Sequence, residues 1–245
     1  MDFRTELKIK NSLEIPASAS VFSIGSCFSV ELSDQFSGLG LNVSSNPFGI
    51  TYNPVSISKQ LSRLEKPTPY TEQNLTWSNG IFHSLDHHGT FSNTDKTKCL
   101  IGINDALSQG ARNLENSDVL FLTLGTAFSY NHNEYGLVNN CHKLPGNLFS
   151  RNLHKSPELF TKLKKNIQFY LDSDPKRKVV LSVSPVRHLR DSFQENQLSK
   201  AQLITLCYEL VSEFSGVEYF PAYELILDDL RDYRFYESDM CHPSS

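Results

Sequence analysis

Four short apolar runs, Val21–Ile24, Val119–Leu124, Lys178–Val183 and Val217–Phe220, are separated by segments whose apolar residues recur at helical spacing. A continuous apolar run bounded by turn residues reads as a strand buried on both faces. Phe28, Leu32 and Phe36 instead mark one face of a helix that stops near Gly38 or Gly40. Ile57, Leu61 and Leu64 mark a second helix, and Leu100, Ile103 and Leu107 a third. Phe160, Leu163, Ile167 and Tyr170 mark a fourth, with Ser156 as cap and Pro157 in its first turn. Leu203, Leu206, Leu210 and Phe214 mark a fifth, capped by Ser199. Strand and helix in alternation demand a parallel sheet covered by helices. Leu41–Val43 reads as one more strand. Two hairpins are expected outside that sheet, one over 75–83 about Asn79-Gly80 and one within 127–139 around Asn131–Gly136. With no internal repeat and no Pro/Ser/Gly linker, the expectation is one domain over residues 1–245.

Parallel sheets of this kind bind ligands outside the carboxyl ends of their strands. Three of the apolar runs end in polar turns: Gly25-Ser26-Cys27, Gly125-Thr126-Ala127 and Ser184-Pro-Val-Arg-His188. These turns should cluster at one edge. Composition narrows what they can bind. Twenty-three basic against 27 acidic residues leave a net charge of −4, with no basic excess for nucleic acid. The longest apolar stretch, Val119–Leu124, is far short of the ~20 residues that span a bilayer. The first residues lack an apolar signal region, so a soluble, cytoplasmic chain without a membrane partner is expected. Five cysteines without a Cys-x-x-Cys pair read as reduced thiols rather than a disulfide framework or a zinc site.

Gly25-Ser26-Cys27 lies where a strand passes into a helix. A nucleophile there gains from the helix dipole, which favours a developing anion and a thiolate, and from free backbone N–H groups that can hold an oxyanion. The plainer reading is a small-residue turn in which Ser26 caps the helix. Asp239 stands three residues before His242, a spacing that lets the carboxylate orient the imidazole toward a nucleophile. By itself that spacing is common loop chemistry. His83, Asp86, His87 and His88 invite a metal reading, but adjacent side chains diverge, and a solvated loop is the simpler account. His142 and His188 follow apolar strands and could line a pocket. No Walker loop or Gly-x-Gly-x-x-Gly occurs, so no nucleotide cofactor is implied.

These residues resemble a known family. Gly25-Ser-Cys-Phe-Ser29 is similar to the motif that names the GSCFA-domain family, with Ser29 where the name has Ala. Further blocks resemble the family in order: Asn46–Pro54, Leu124–Thr126, Asn140–Pro145, Ser184–His188, Glu195–Ala201, Leu230–Tyr236 and Asp239–Pro243. The resemblance runs from about residue 20 to the end. It implies membership of the SGNH (GDSL-like) hydrolases, with a flavodoxin-like three-layer α/β/α sandwich and a nucleophile-His-Asp triad acting on ester and acyl groups.

On that resemblance His242 is the base and Asp239 its orienting acid. Register with the superfamily Gly-Asp-Ser turn places Cys27 on the serine, while a differently wound turn gives the role to Ser26. A thiol is competent, being readily activated by histidine. Gly49 is the candidate oxyanion glycine. The superfamily's Gly-x-Asn appears here as Gly125-Thr126-Ala127, so Thr126 or Asn140 would have to replace the missing amide, and one lost donor can cost about 10²–10³ in rate. His188 completes the expected cleft. The resemblance also implies a helix after the histidine loop, whereas the chain stops three residues after His242. Either the chain is shortened or the loop is held another way. The reading is a cofactor-free hydrolase or acyltransferase acting on a small-molecule or carbohydrate acyl ester or thioester. A non-catalytic carbohydrate- or acyl-binding module on the same scaffold is the alternative, and a metal-dependent hydrolase using His83, His87 or His88 is a third option.

Overall fold

The structure, a computed structural model, describes residues 14–188, 190 and 192–244. β1 (Ser20–Gly25) runs into α1 (Cys27–Gly38) and β2 (Asn42–Ser45). α2 (Pro54–Glu65) starts on proline, and the Asn53 side chain accepts the Ser56 N–H at 2.8 Å. The pair β3 (Leu75–Ser78) and β4 (Ile81–Ser84) precedes α3 (Lys96–Glu115) and β5 (Val119–Leu124). β6 (Phe128–His132), β7 (Gly136–Val138) and β8 (Phe149–Leu153) come next. α4 (Ser156–Asp172), β9 (Lys178–Val183), α5 (Phe193–Glu213) and β10 (Val217–Phe220) complete the alternation.

The central sheet is β2-β1-β5-β9-β10, and every pairing in it is parallel. Counting the sheet strands alone, the order is 2-1-3-4-5, that of flavodoxin-like doubly wound sheets. The chain moves outward from β1 to β2 and then reverses across β1 to β5. Crossovers between parallel strands are right-handed, so one reversal puts α1 on one face and α2 to α5 on the other. The core divides accordingly. Phe22, Ile24, Leu120, Leu122, Leu124, Val179, Leu181 and Val183 pack with α2, α3, α4 and α5. Val21, Val119, Phe121 and Val180 pack with Leu32 and Phe36 of α1. The result is a three-layer α/β/α sandwich. Every residue of β5 is buried, as its unbroken apolar run requires, and each such large side chain is worth roughly 1.5–3 kcal/mol.

The expected hairpin at 75–83 is present as β3–β4, turning at Asn79 and Gly80, both with positive φ. The second hairpin is present as β6–β7 and gains a third strand, β8, on its far side. That partner lies beyond Pro145 and carries no alternating pattern that would mark it.

Three caps depart from expectation. α5 begins six residues earlier than Ser199, at Phe193, because Ser192 and Glu195 form a reciprocal capping box. Ser199 lies within the helix and accepts the Ala127 N–H at 2.8 Å. Ser156 is the first helical residue, and its hydroxyl donates to Glu209 at 2.6 Å instead of capping. Ser26 sits at the N-cap position of α1 but makes no side-chain cap bond.

Candidate active site

The site grows from the end of β1. Its last residue, Gly25, pairs with Thr123 of β5 so closely that a Cβ there would meet Thr123 Oγ1 at 2.0 Å and its carbonyl oxygen at 2.3 Å. Only glycine allows that approach. The chain then turns into α1 at the point where strand order reverses, which is where doubly wound sheets open a crevice. Ser26 faces inward: it is buried, its N–H is shared between Thr123 O at 3.2 Å and Thr123 Oγ1 at 3.1 Å, and its hydroxyl lies 3.5 Å from Thr123 Oγ1. Cys27, the first residue of α1, faces the other way.

Cys27 Sγ stands 3.5 Å from His242 Nε2. On the far side of the ring, His242 Nδ1–H donates to Asp239 Oδ2 at 2.6 Å. That bond fixes the tautomer and leaves Nε2 free to accept the thiol proton. Asp239 Oδ1 takes the backbone N–H groups of Cys241 at 2.9 Å and His242 at 3.0 Å. The backbone N–H and the ring of His242, with the Cys241 N–H, hold the Asp239 carboxyl down at about 2. It is thus ionised across the physiological range.

The histidine loop is closed by a short antiparallel return. Tyr236 bridges Pro243, Glu237 N–H donates to His242 O at 2.8 Å, and Ser244 N–H donates to Phe235 O at 2.9 Å. Arg187 N–H reaches Cys241 O at 3.4 Å, which ties this return to the turn after β9. These bonds hold the loop from residues 187 and 235–244.

Burial pushes the Cys27 thiol above its ordinary value. The backbone N–H groups of Phe28 and Cys27, and the charge of Lys200, pull the other way without overcoming it. This corrects the expectation that the helix end alone would favour a thiolate. The thiol rests protonated, with the His242 imidazole beside it.

Lys200 falls inside the Glu195–Ala201 block, where the sequence alone assigns it no role. Its side chain is 1% exposed, and Nζ donates to Gly125 O at 2.8 Å and Ser184 O at 2.6 Å. It clamps the carboxyl ends of β5 and β9 together beneath the site. A lysine among the apolar positions of α5 reads as a solvated residue; only the fold shows it pointing at two strand ends.

A cleft of about 240 Å³ is lined among others by Tyr52, Thr126, Asn140 and His188, whereas Ser26, Cys27, Asp239 and His242 are not part of its lining; it comes nearest them at Tyr52, which feels the charge of Cys27, and at His188, which feels that of His242. His188 Nε2–H donates to Gly125 O at 3.2 Å, and its ring meets Tyr52 edge-on at 5.7 Å. Burial, then the charge of Lys200, hold its pKa down at about 4, so it is a neutral wall rather than a second base. Thr126 shares a hydrogen bond with Ser199 Oγ at 3.0 Å and accepts the Phe128 N–H at 3.2 Å. Asn140 Oδ1 accepts the His142 N–H at 2.9 Å. Gly49 does not line the cleft. Its N–H closes a turn onto Asn46 O at 2.7 Å, and at φ +80° its Cβ position is filled by His88 Cβ at 2.2 Å. Tyr52, Asn53, Arg151 and Arg190 also line the cleft and were not singled out in the sequence. Tyr52 and Asn53 do fall inside the Asn46–Pro54 block, whose spacing offered the signal. That loop is stitched to the Gly25-Ser26-Cys27 turn: Asn46 Oδ1 accepts the Gly25 N–H at 2.8 Å and Thr51 N–H donates to Gly25 O at 2.9 Å.

The histidines that invited a metal are otherwise engaged. His83 Nδ1 bonds Ser92 Oγ at 2.8 Å and His87 Nδ1 bonds Ser84 Oγ at 2.8 Å. Burial, the first of several causes, holds His87 neutral to about pH 3. Among the described residues no three His, Cys, Asp or Glu side chains form a group able to hold a metal ion. All five cysteines are free thiols. Among the described residues no helix is long and apolar enough to cross a membrane.

A search of curated proteins finds no match. Among solved structures, one from Streptococcus pneumonia, given as a "putative platelet activating factor", is similar over 93% of this chain and 77% of its own, at 14% identity and a TM-score of 0.43. The sequence model of the GSCFA family matches residues 20–245, a span that holds the Gly25-Ser-Cys-Phe turn, the cleft and the Asp239–His242 loop, and the chain belongs to that family.

Proposed function

We propose that this GSCFA protein is an SGNH-like hydrolase or acyltransferase that uses a thiol nucleophile on an ester or thioester. The observation that carries the reading is the unbroken chain from Cys27 Sγ to His242 Nε2 to Asp239 Oδ2, at 3.5 and 2.6 Å, set at the switch point of the sheet. His242 takes the thiol proton as Sγ attacks the acyl carbonyl, and Asp239 stabilises the imidazolium that forms. The backbone N–H groups of Cys27 and Phe28, which already face the sulfur, offer hydrogen bonds to the oxyanion. The imidazolium returns its proton to the departing alcohol or thiol, leaving a thioester on Cys27. Water or an acceptor alcohol, deprotonated by the same imidazole, then releases the acyl group. Because the thiol rests protonated, proton transfer accompanies attack rather than preceding it.

A second reading, a binding module without turnover, draws on the engagement of Gly49 N–H and the Thr126 hydroxyl within the protein itself. One experiment separates the two. The protein is treated with an acyl-phosphonate probe and with iodoacetamide, the labelled residue is mapped, and turnover of an activated acyl ester is measured for Cys27→Ala, Ser26→Ala and His242→Ala. The first reading expects label on Cys27, no turnover in Cys27→Ala or His242→Ala, and partial turnover in Ser26→Ala. Full, wild-type turnover in all three variants rejects the mechanism.

A further inference from the structure

α2 borders a second cavity of about 290 Å³. Lys59 and Arg63, one turn apart on the helix, and Lys66, just past its end, line it, with Asp86 as the one carboxylate among the lining residues. That carboxylate is already engaged, by Lys59 Nζ at 2.5 Å and the Tyr70 hydroxyl at 3.4 Å. Among the lining residues Arg63 and Lys66 have no further carboxylate, although Glu65, outside the lining, interacts with Lys66. Arg63 is held in place by stacking its guanidinium 4.3 Å over the Tyr70 ring.

The polar atoms around this cavity are unusual. Arg63 Nε, Ser56 Oγ and Asn139 Oδ1 are all buried without a hydrogen-bond partner, and all three residues line it. Ser56 is 2% exposed. Buried polar atoms in folded proteins are almost always paired, so three around one hollow ask for a ligand that supplies the partners. Arg63 Nε is a donor and needs an acceptor. Asn139 Oδ1 is an acceptor and needs a donor. The Ser56 hydroxyl can serve as either. A ligand carrying both an oxyanion and hydroxyl groups satisfies all three, and the volume is at the small end of ligand sites.

We propose that this cavity, which shares only Asn139 with the cleft lined by Tyr52 and His188, is a binding site for a small hydroxylated oxyanion of the sugar phosphate or sugar acid class, with Arg63 and Lys66 on the anionic group and Ser56 and Asn139 on its hydroxyls. Asn139 also links the two regions. Its Nδ2 donates to Ile50 O at 3.3 Å and Thr51 Oγ1 at 3.1 Å, and Thr51 in turn holds the Gly25 carbonyl. Occupancy is thereby read by the loop beside the nucleophile turn. Binding itself does not depend on the acyl-transfer reading.

Isothermal titration calorimetry on the full chain tests it, with glucose 6-phosphate, glucuronate, inorganic phosphate and neutral glucose as probes. Saturable binding of glucose 6-phosphate or glucuronate is expected, with inorganic phosphate weaker and glucose silent. Which of the two sugar anions binds tighter distinguishes phosphate from carboxylate. Arg63→Gln and Lys66→Gln should each weaken binding by about tenfold or more, the size of a lost charge-assisted contact. Arg190→Gln, in the cleft lined by Tyr52 and His188, should leave it unchanged. Lys66 is exposed, so its variant decides the matter even if Arg63→Gln fails to fold. No saturable heat from any anion up to about 10 mM, unchanged affinity in Lys66→Gln, or loss in Arg190→Gln with Lys66→Gln intact overturns the proposal.

Discussion

Replacing Lys200 by methionine tests how the site is supported. Methionine keeps the length and the packing but cannot donate to Gly125 O or Ser184 O, which now lie 2.8 and 2.6 Å from Nζ. Gly125 O retains the His188 Nε2–H at 3.2 Å. Ser184 O loses its lysine donor, and a buried carbonyl stripped of its donor costs roughly 1–3 kcal/mol. Hydrogen bonds from a charged donor are individually stronger, but removing them also removes the cost of burying the ammonium, so the orphaned carbonyl dominates. The expected loss is about 2 kcal/mol, or about 4–8 °C in Tm for a chain of this length. The ammonium also lowers the Cys27 thiol pKa. Iodoacetamide alkylation of Cys27, followed against pH, should therefore shift to higher pH in Lys200→Met. Because the charge is buried, the shift should persist in salt that screens surface charges. A variant as stable as the wild type, or an alkylation profile unmoved or shifted downward, would refute the argument that this lysine clamps the strand ends and that its charge reaches the thiol.

Asp239→Asn keeps an oxygen for the Cys241 and His242 N–H groups but no longer fixes the ring tautomer, so ester turnover should fall about 10³–10⁴-fold with an unchanged circular dichroism spectrum; a drop below tenfold would contradict the proposed role. His188 and His87 have folded pKa values depressed to about 4 and about 3, burial being the first cause in each. The unfolded chain binds their protons first, so stability should fall as pH drops from about 6.5 toward 4, by a few kcal/mol at most; urea unfolding that is flat from pH 7 to 4.5 counts against this. Gly25→Ala would drive a Cβ into Thr123, at a cost of about 3 kcal/mol or more, whereas Gly146→Ala, with open space around it, should be near neutral by thermal melt. Ser192→Ala removes the α5 capping box and should cost about 1 kcal/mol.

The runs at 21–24, 119–124, 178–183 and 217–220 stand in the sequence as buried strands because their apolar residues are unbroken, and all four lie in one parallel sheet. The hairpin at Asn79-Gly80 was equally plain, since few other dipeptides accept two positive φ values in succession. β8 was not, because an edge strand with one wet face needs only a partner, which lies elsewhere in the chain. The early start of α5 is written in the sequence as Ser192-x-x-Glu195, while Ser199, an equally good cap by residue type, is turned inward to Ala127 by the fold.

For the site, the sequence determined the chemistry on offer: a small-residue turn after the first strand, and an aspartate three residues before a histidine near the other end. Register with the superfamily turn favours Cys27, but Ser26 stays open in the sequence, because both residues stand at the same helix end. The tertiary structure separates them. Close approach of Gly25 to Thr123 turns Ser26 into β5, and the next residue, on the opposite side of the turn, faces a histidine 215 positions away in sequence. Lys200 and the thiol's raised pKa belong to the fold alone. A side chain's direction and its desolvation depend on what packs around it, and local sequence carries neither.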